Sequence, residues 1–180
     1  MIFINELINT IKKNSNGKIV LIFLFLTLIG EIVLGFSNNL FSKIANVSAT
    51  LDISFFYSAD SANNFFNNIS QEGKNYYSYK FTIIDTVFPI VYSLFLALLV
   101  AYIFEKKNIK KTKLEYLILL PFVSMFLDYI ENITTLVLMN FLPKVSQNLI
   151  YLLTISSWLK WGLVTIVIMI IIRLLLTKKE

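Results

Sequence analysis

The chain has 180 residues, of which 57% are hydrophobic. A soluble domain carries roughly 45–50% apolar residues, so too little polar surface remains here to clothe a water-soluble fold, and lipid must cover the rest. There is no cysteine and no histidine, which removes disulfides, thiol nucleophiles, Cys/His zinc sites, histidine triads and axial haem ligation. The net charge of +5 comes from basic residues flanking the apolar runs, as headgroup contacts and orientation demand, and not from a basic face interleaved with aromatics; nucleic acid is not expected as a partner.

Residues 1–17 begin with Ile4, Leu7, Ile8 and Ile11 at helical spacing, opposite Asn5, Glu6, Thr10 and Lys12. The pattern predicts an interfacial helix lying on the inner leaflet and ending at the Asn14–Gly17 turn signal. A first span is predicted over 18–36; Lys12, Lys13 and Lys18 precede its apolar core from Ile19 to Ile29, and without a convincing cleavage site it is expected to stay in the mature protein. Residues 37–80 are polar but keep Phe55, Phe56, Tyr57, Phe65, Phe66 and Ile69. They read as an ordered cap on the outer surface, with Asp60 capping a short helix, Gly73 ending it, and Tyr76, Tyr77 and Tyr79 in an aromatic belt.

Further spans are predicted over 81–104, 114–142 and 149–176, joined by the basic loop 105–113 and a turn around Pro143–Asn148. Each run exceeds the ~20 residues needed to cross a hydrocarbon core of ~30 Å. Most Lys and Arg fall on one side only if the spans are even in number and both termini are inside. The expected fold is an all-α integral membrane four-helix bundle with cytoplasmic termini, multi-pass in a bacterial inner or plasma membrane.

Five ionisable residues interrupt these runs: Glu31, Asp85, Asp128, Glu131 and Lys160. A charge at mid-bilayer costs at least ~2.5–3.5 kcal/mol, so each should face the bundle interior or water. At ~1.5 Å per residue, Glu31 and Asp85 lie roughly 6–8 Å below the outer surface, and Glu131 and Lys160 roughly 15–17 Å. Pro121, Ser124, Asp128, Glu131, Asn132 and Thr135 recur at intervals that make one polar stripe. Asp85, Pro89, Tyr92 and Ser93 share a face, as do Thr27, Glu31 and Gly35; Ser156 and Ser157 accompany Lys160, flanked by Trp158 and Trp161. Matching depth makes Glu131–Lys160 the expected ion pair, whose plainest role is to fix helix register. Four carboxylates against one lysine would nonetheless favour a cation or cationic group. Pro89 and Pro121 free backbone carbonyls inside their helices, where kinks are expected. No cofactor and no metal ligand set is expected, although a carboxylate-only Mg²⁺ or Ca²⁺ site stays open in principle.

Asp85-Thr-Val-Phe88-Pro89-Ile-Val-Tyr92 and Asp128-Tyr-Ile-Glu131-Asn132 resemble signatures of a widespread bacterial family of small four-span membrane proteins whose activity is unassigned. Leu51-Asp52 and Phe56-Tyr57-Ser58 extend the likeness, over about residues 18–176. More distantly, the chain is similar to the emopamil-binding and sigma-2 receptor family in its span number, cytoplasmic termini, long first outer loop and acidic residues in the first two spans, with Glu31 and Asp85 in comparable places. That likeness implies an intramembrane pocket for sterols or amphipathic amines. It does not extend to isomerase chemistry, because the histidine is missing.

The leading expectation is a binding protein for membrane lipid or an amphipathic small molecule. Glu31, Asp85, Tyr92, Asp128, Glu131, Asn132 and Lys160 would form an acidic pocket in the outer half. The alternatives are an enzyme on a lipid-like substrate, with Glu131 or Asp85 as acid/base and Lys160 as electrophilic stabiliser; a proton-coupled carrier, which four spans would require to be a dimer; and an assembly partner docking through 105–113.

Overall fold

The protein is described by a computed structural model covering residues 2–47, 51, 57–109, 112–140 and 146–176. Its elements are α1 (Ile2–Asn14), α2 (Gly17–Ala45), α3 (Ala59–Asn68), α4 (Gln71–Lys80), a π-helical turn (Phe81–Asp85), α5 (Thr86–Lys106), a 3-10 stretch (Thr112–Leu119), α6 (Leu120–Asn140) and α7 (Gln147–Leu176). No strand occurs among the described residues. Four continuous helices are long and apolar enough to cross a membrane: Gly17–Ala45, Gln71–Lys106, Leu114–Asn140 and Gln147–Leu176. The fold is an all-α membrane four-helix bundle.

The cap arises from two helices that outrun the bilayer. Gln71–Lys106 has 36 residues, a length of roughly 54 Å at 1.5 Å per residue. Thus α4 is not a separate surface piece but the upper end of the second span. The first span likewise continues beyond residue 36 to Ala45, closing on Asn46 in the left-handed conformation (φ 56°). These two extensions pack together. Ser70 Oγ donates to the Ile44 carbonyl (2.9 Å) and Ser70 N to that of Ala45 (3.2 Å). Gly73 therefore does not end a helix. It lies within α4 where a Cβ would come within 2.5 Å of Ala45 Cβ and 2.6 Å of its Cα. Ser58, not Asp60, caps α3, accepting from Ser61 N, and Asp60 sits in the first turn, where its charge suits the helix dipole. Phe41, Phe65, Phe66, Tyr76 and Tyr77 then fill the space beneath with stacked, tilted and edge-on ring contacts.

At the opposite end α1 packs Ile8 and Ile11 of its apolar face on protein, while Phe3 and Ile4 stay exposed. Ile8 and Ile11 are buried against α5 and the 3-10 stretch, in the cluster that also holds Phe104 and Ile118. Lys12 Nζ donates to Glu115 Oε1 (2.9 Å) and lies 3.2 Å from Glu105 Oε1, clasping the two ends of the 105–113 connection. The hydrogen bond to Glu115, reinforced by Glu105 against desolvation, holds the Lys12 ammonium above its ordinary value. Pro121 falls in the first turn of α6, where the 3-10 stretch becomes α and a missing N–H costs least. Of the predicted turn around Pro143–Asn148, residues 143–145 lie outside the described residues, as do Ser48, Asp52, Phe55, Phe56, Lys110 and Lys111.

The bundle is not evenly closed. The most extensive interface joins α6 and α7; α5 packs on α6 and α2 on α5 and α4. Small polar residues (Ser124 and Thr135 on α6, Thr154, Ser156 and Ser157 on α7) are buried, and such residues let helix backbones approach. Among the described residues α2 makes at most marginal contact with α7. Gly30 faces the Phe88 ring on α5, and Leu21, Phe25, Leu28 and Ile32 point outward to lipid.

Gly73→Ala should destabilise the protein by about 1–3 kcal/mol, because the new methyl meets backbone and not a yielding side-chain tip. Gly162→Ala, with nothing within 4 Å of its Cβ, should be neutral or stabilising by up to ~1 kcal/mol. Thermal unfolding in one detergent compares the two, and equal melting temperatures would contradict the α4–α2 contact. Lys12→Met should speed amide hydrogen exchange in α1 at neutral pH. Because the folded-state value is raised, the wild-type clasp contributes fully below the ordinary lysine value of 10.5 and is lost only as pH climbs through the higher one. The protection factors of the α1 amides, which correct for the base-catalysed rise in intrinsic exchange, should accordingly hold constant from neutral pH up to that range.

Candidate functional site

A cavity of about 460 Å³ lies between α2, α5, α6 and α7. Helical spacing brings its lining together. From α2 come Thr27, Glu31, Leu34, Gly35 and Asn38; from α5, with its preceding π turn, Asp85, Phe88, Pro89, Tyr92, Phe95 and Leu96; from α6 Asp128 and Asn132; from α7 Lys160, Trp161, Val164 and Ile168. Each set recurs every three or four residues and so presents one face. Because α2 and α7 barely meet, these two helices line the cavity without closing on each other.

Two ionic clusters hold the wall. On α7, Lys160 Nζ lies 2.6 Å from Glu131 Oε2 and 3.3 Å from Asp128 Oδ1. The expected partner is present, and Asp128 shares the lysine. Tyr92 OH donates to Asp128 Oδ2 (3.2 Å) and Asn132 Nδ2 to Asp128 Oδ1 (3.1 Å), so α5, α6 and α7 meet at one carboxylate. The Lys160 ammonium also stands over the Trp161 ring, 5.2 Å from its centroid. Glu131 is 1% exposed and does not line the cavity; it lies behind Lys160, with Tyr57 OH at 3.5 Å from Oε1, a long contact. Tyr57 is itself held by Trp158, whose Nε1 donates to its carbonyl (3.2 Å), so the segment before α3 is tied to the ionic cluster.

The second cluster was not legible in the sequence pattern. Lys80, the last residue of the segment read as an outer-surface cap, is 2% exposed and donates from Nζ to Asp85 Oδ2 (3.1 Å) while standing over Tyr77 (5.3 Å). In a regular α-helix, residues five apart face different directions. The π-helical turn over Phe81–Asp85 has i→i+5 periodicity and brings them into register. Pro89 follows directly and has no N–H to return to the carbonyl of residue 85, which gives the helix a reason to widen there. The only sequence signals were the Pro four residues after Asp85 and the lysine five before it.

Of the residues singled out by sequence, Glu31, Asp85, Tyr92, Asp128, Asn132 and Lys160 line one cavity, and Glu131 backs it. Sequence reasoning missed Asn38, Lys80, Tyr57 and the apolar lining of Phe95, Leu96, Val164 and Ile168. Among the described residues no group of three or more acidic side chains is disposed to hold a metal ion. Glu31 has no ion pair or hydrogen bond among them. Asn38, 6% exposed, keeps its Oδ1 buried without a donor. Comparison with protein-family models, with curated proteins and with solved structures finds no match to this chain.

Lys160→Met leaves the Glu131 carboxylate buried and uncompensated, and should cost about 3–5 kcal/mol. The double variant Lys160→Met/Glu131→Gln should recover at least half of that loss. Lys80→Met and Lys80→Met/Asp85→Asn should behave in the same way. Thermal unfolding of these four variants and of the single variants Glu131→Gln and Asp85→Asn measures this, and additive losses in the doubles would show that the pairs are not coupled.

Proposed function

We propose that this protein is a multi-pass protein of a bacterial inner or plasma membrane, with both termini inside, that binds a lipid or amphipathic small molecule in the cavity between α2, α5, α6 and α7. The observation that carries the reading is the polarity gradient along that cavity. Toward the end bearing α3 and α4 its wall is Asn38, Asp85, Glu31, Asp128 and Asn132; toward the α1 end it is Phe95, Leu96, Val164 and Ile168. An amphiphile standing in one leaflet has the same gradient. A volume of about 460 Å³ falls within the ~300–1,000 Å³ usual for ligand pockets. The marginal α2–α7 contact would give such a molecule a way in without crossing water.

Binding is favoured over acid–base chemistry at Glu131 by the position of that residue, off the cavity wall and against Lys160. The likeness to the emopamil-binding and sigma-2 receptor family supports the reading only at Glu31 and Asp85, both of which line the cavity. The orientation rests on the basic residues gathered at the α1 end, among them Lys12, Lys13, Lys18, Lys106 and Lys107.

Native mass spectrometry of the purified protein should reveal a retained amphiphile. Val164→Trp, which fills the apolar end, should reduce retention by about tenfold or more, equivalent to ~1.4 kcal/mol, with little loss of stability. Identical adduct spectra from the two proteins would refute the assignment of this cavity.

A further inference from the structure

Behind the cavity wall, where α6 meets α7, the buried hydroxyls do not all find partners. Thr135 Oγ1 donates to the Glu131 carbonyl, Thr154 Oγ1 to that of Ile150 and Ser156 Oγ to that of Leu153, so these three are spent on their own helices. Ser157 differs: it is 0% exposed, and its Oγ has no hydrogen-bond partner among the described residues. Standing three residues before Lys160, it lies on the same face of α7, about one turn nearer the α3 end. Tyr57 rests against this turn, its carbonyl accepting from Trp158 Nε1 (3.2 Å), while its OH stops 3.5 Å short of Glu131 Oε1. A direct bond between two oxygens is roughly 2.5–3.0 Å long. A buried hydroxyl without a partner is costly, and an alanine would fill the same space without that cost.

We propose that Ser157, Tyr57 and Glu131 together seat a buried water molecule, and that this water connects the ionic cluster to the face bearing α3. The three groups have the chemistry for it. Tyr57 OH donates to the water, the water donates to the Glu131 carboxylate, and the Ser157 hydroxyl either gives or takes the remaining bond. A carboxylate offers about four lone-pair sites, so Glu131 has capacity beyond Lys160 and Tyr57. Three polar neighbours fall within the two to four partners that a buried water typically has. One long Tyr57–Glu131 contact becomes two short bonds. The seat lies near bulk solvent, because Ser58, next to Tyr57, is exposed. At the α1 end the bundle is closed by Phe104, Ile118, Val167 and Ile171. Protons on Glu131 and Lys160 therefore exchange with water from one face, along a path that does not run through the cavity. An amphiphile filling the cavity leaves that exchange open.

Two measurements on the full chain test this. Ser157→Ala separates a hydroxyl that holds water from one that holds nothing. Removing an unpaired hydroxyl relieves a penalty and raises the melting temperature, whereas removing one of the water's three partners should lower it by about 2–4 °C. Water-edited solid-state NMR of the ¹³C-labelled protein in liposomes supplies a readout that a merely structural serine would not move. Magnetisation starting on water should reach Ser157 Cβ and Glu131 Cδ well before the Phe104 ring, which lies in the apolar cluster at the α1 end. Ser157→Val, which fills the seat, should abolish the early transfer to Glu131. The proposal is overturned by a higher melting temperature for Ser157→Ala, by a Ser157 Cβ that receives magnetisation no sooner than Phe104, or by early transfer to Glu131 that survives Ser157→Val.

Discussion

One lysine organises this membrane bundle. Lys160 stands on α7 with Glu131 at 2.6 Å and Asp128 at 3.3 Å, both from α6. In a hydrocarbon medium none of the three can be left alone, since an uncompensated buried charge costs several kcal/mol. Their mutual need fixes the register of α6 on α7, the most extensive interface in the protein. Serines and threonines around them let the two helices approach. Through Tyr92, which donates to Asp128, the same cluster reaches α5. Three helices are thereby committed to one another, and α2, which contributes no charge to this cluster, is left at the margin. The marginal contact between α2 and α7 follows from where the charges pair.

A second ionic pair shows how backbone geometry and electrostatics answer each other. Lys80 and Asp85 are five residues apart, a separation at which an α-helix would turn them away from one another and leave both charges unsatisfied. The π-helical turn puts them 3.1 Å apart. A widened turn costs hydrogen-bond quality, but here it sits just before Pro89, where the regular pattern is broken in any case. The result is that Asp85 lines the cavity with its charge balanced from behind. Glu31, across the cavity on α2, has no such counter-ion among the described residues. The two acidic residues look alike in sequence and differ in what they can offer a bound molecule.

How far the sequence could be read follows from which signals are periodic. The spans were legible because lipid exposure forces long apolar runs. The α6 stripe was legible because Ser124, Asp128, Glu131, Asn132 and Thr135 obey a 3.6-residue period, and the Glu131–Lys160 pair because depth can be counted at a constant rise per residue. What failed to appear was whatever departs from that period or depends on a partner helix. Lys80 read as a surface cation because the π turn carries no propensity signal. Gly73 read as a helix stop because glycine has that meaning locally, whereas its use here is to let α4 lie on Ala45. The apolar face of α1 read as lipid-facing because hydropathy does not distinguish lipid from a protein core, and both are apolar to Ile8 and Ile11.

The same argument explains why the polar wall and the marginal α2–α7 contact occur together. A buried carboxylate in a closed bundle must find a partner inside it, as Asp128 and Glu131 do. Glu31 lies on the one helix that is not sealed against its neighbour across the cavity, and it is the one acidic residue of the four that can exchange its surroundings. A helix whose outward face is Leu21, Phe25, Leu28 and Ile32 sits comfortably in lipid wherever it leans, so its inner face is under little pressure from packing. Contact with α5 near Gly30 and with α4 near Ala45 fixes α2 in place along one side. Its other side carries Thr27, Glu31 and Asn38 toward the cavity, and of these side chains only Thr27 makes a hydrogen bond within the described residues, to the Phe23 carbonyl. A side chain chosen only for packing would be apolar at these positions, and the cost of keeping acceptors there is the physical ground for assigning them a ligand.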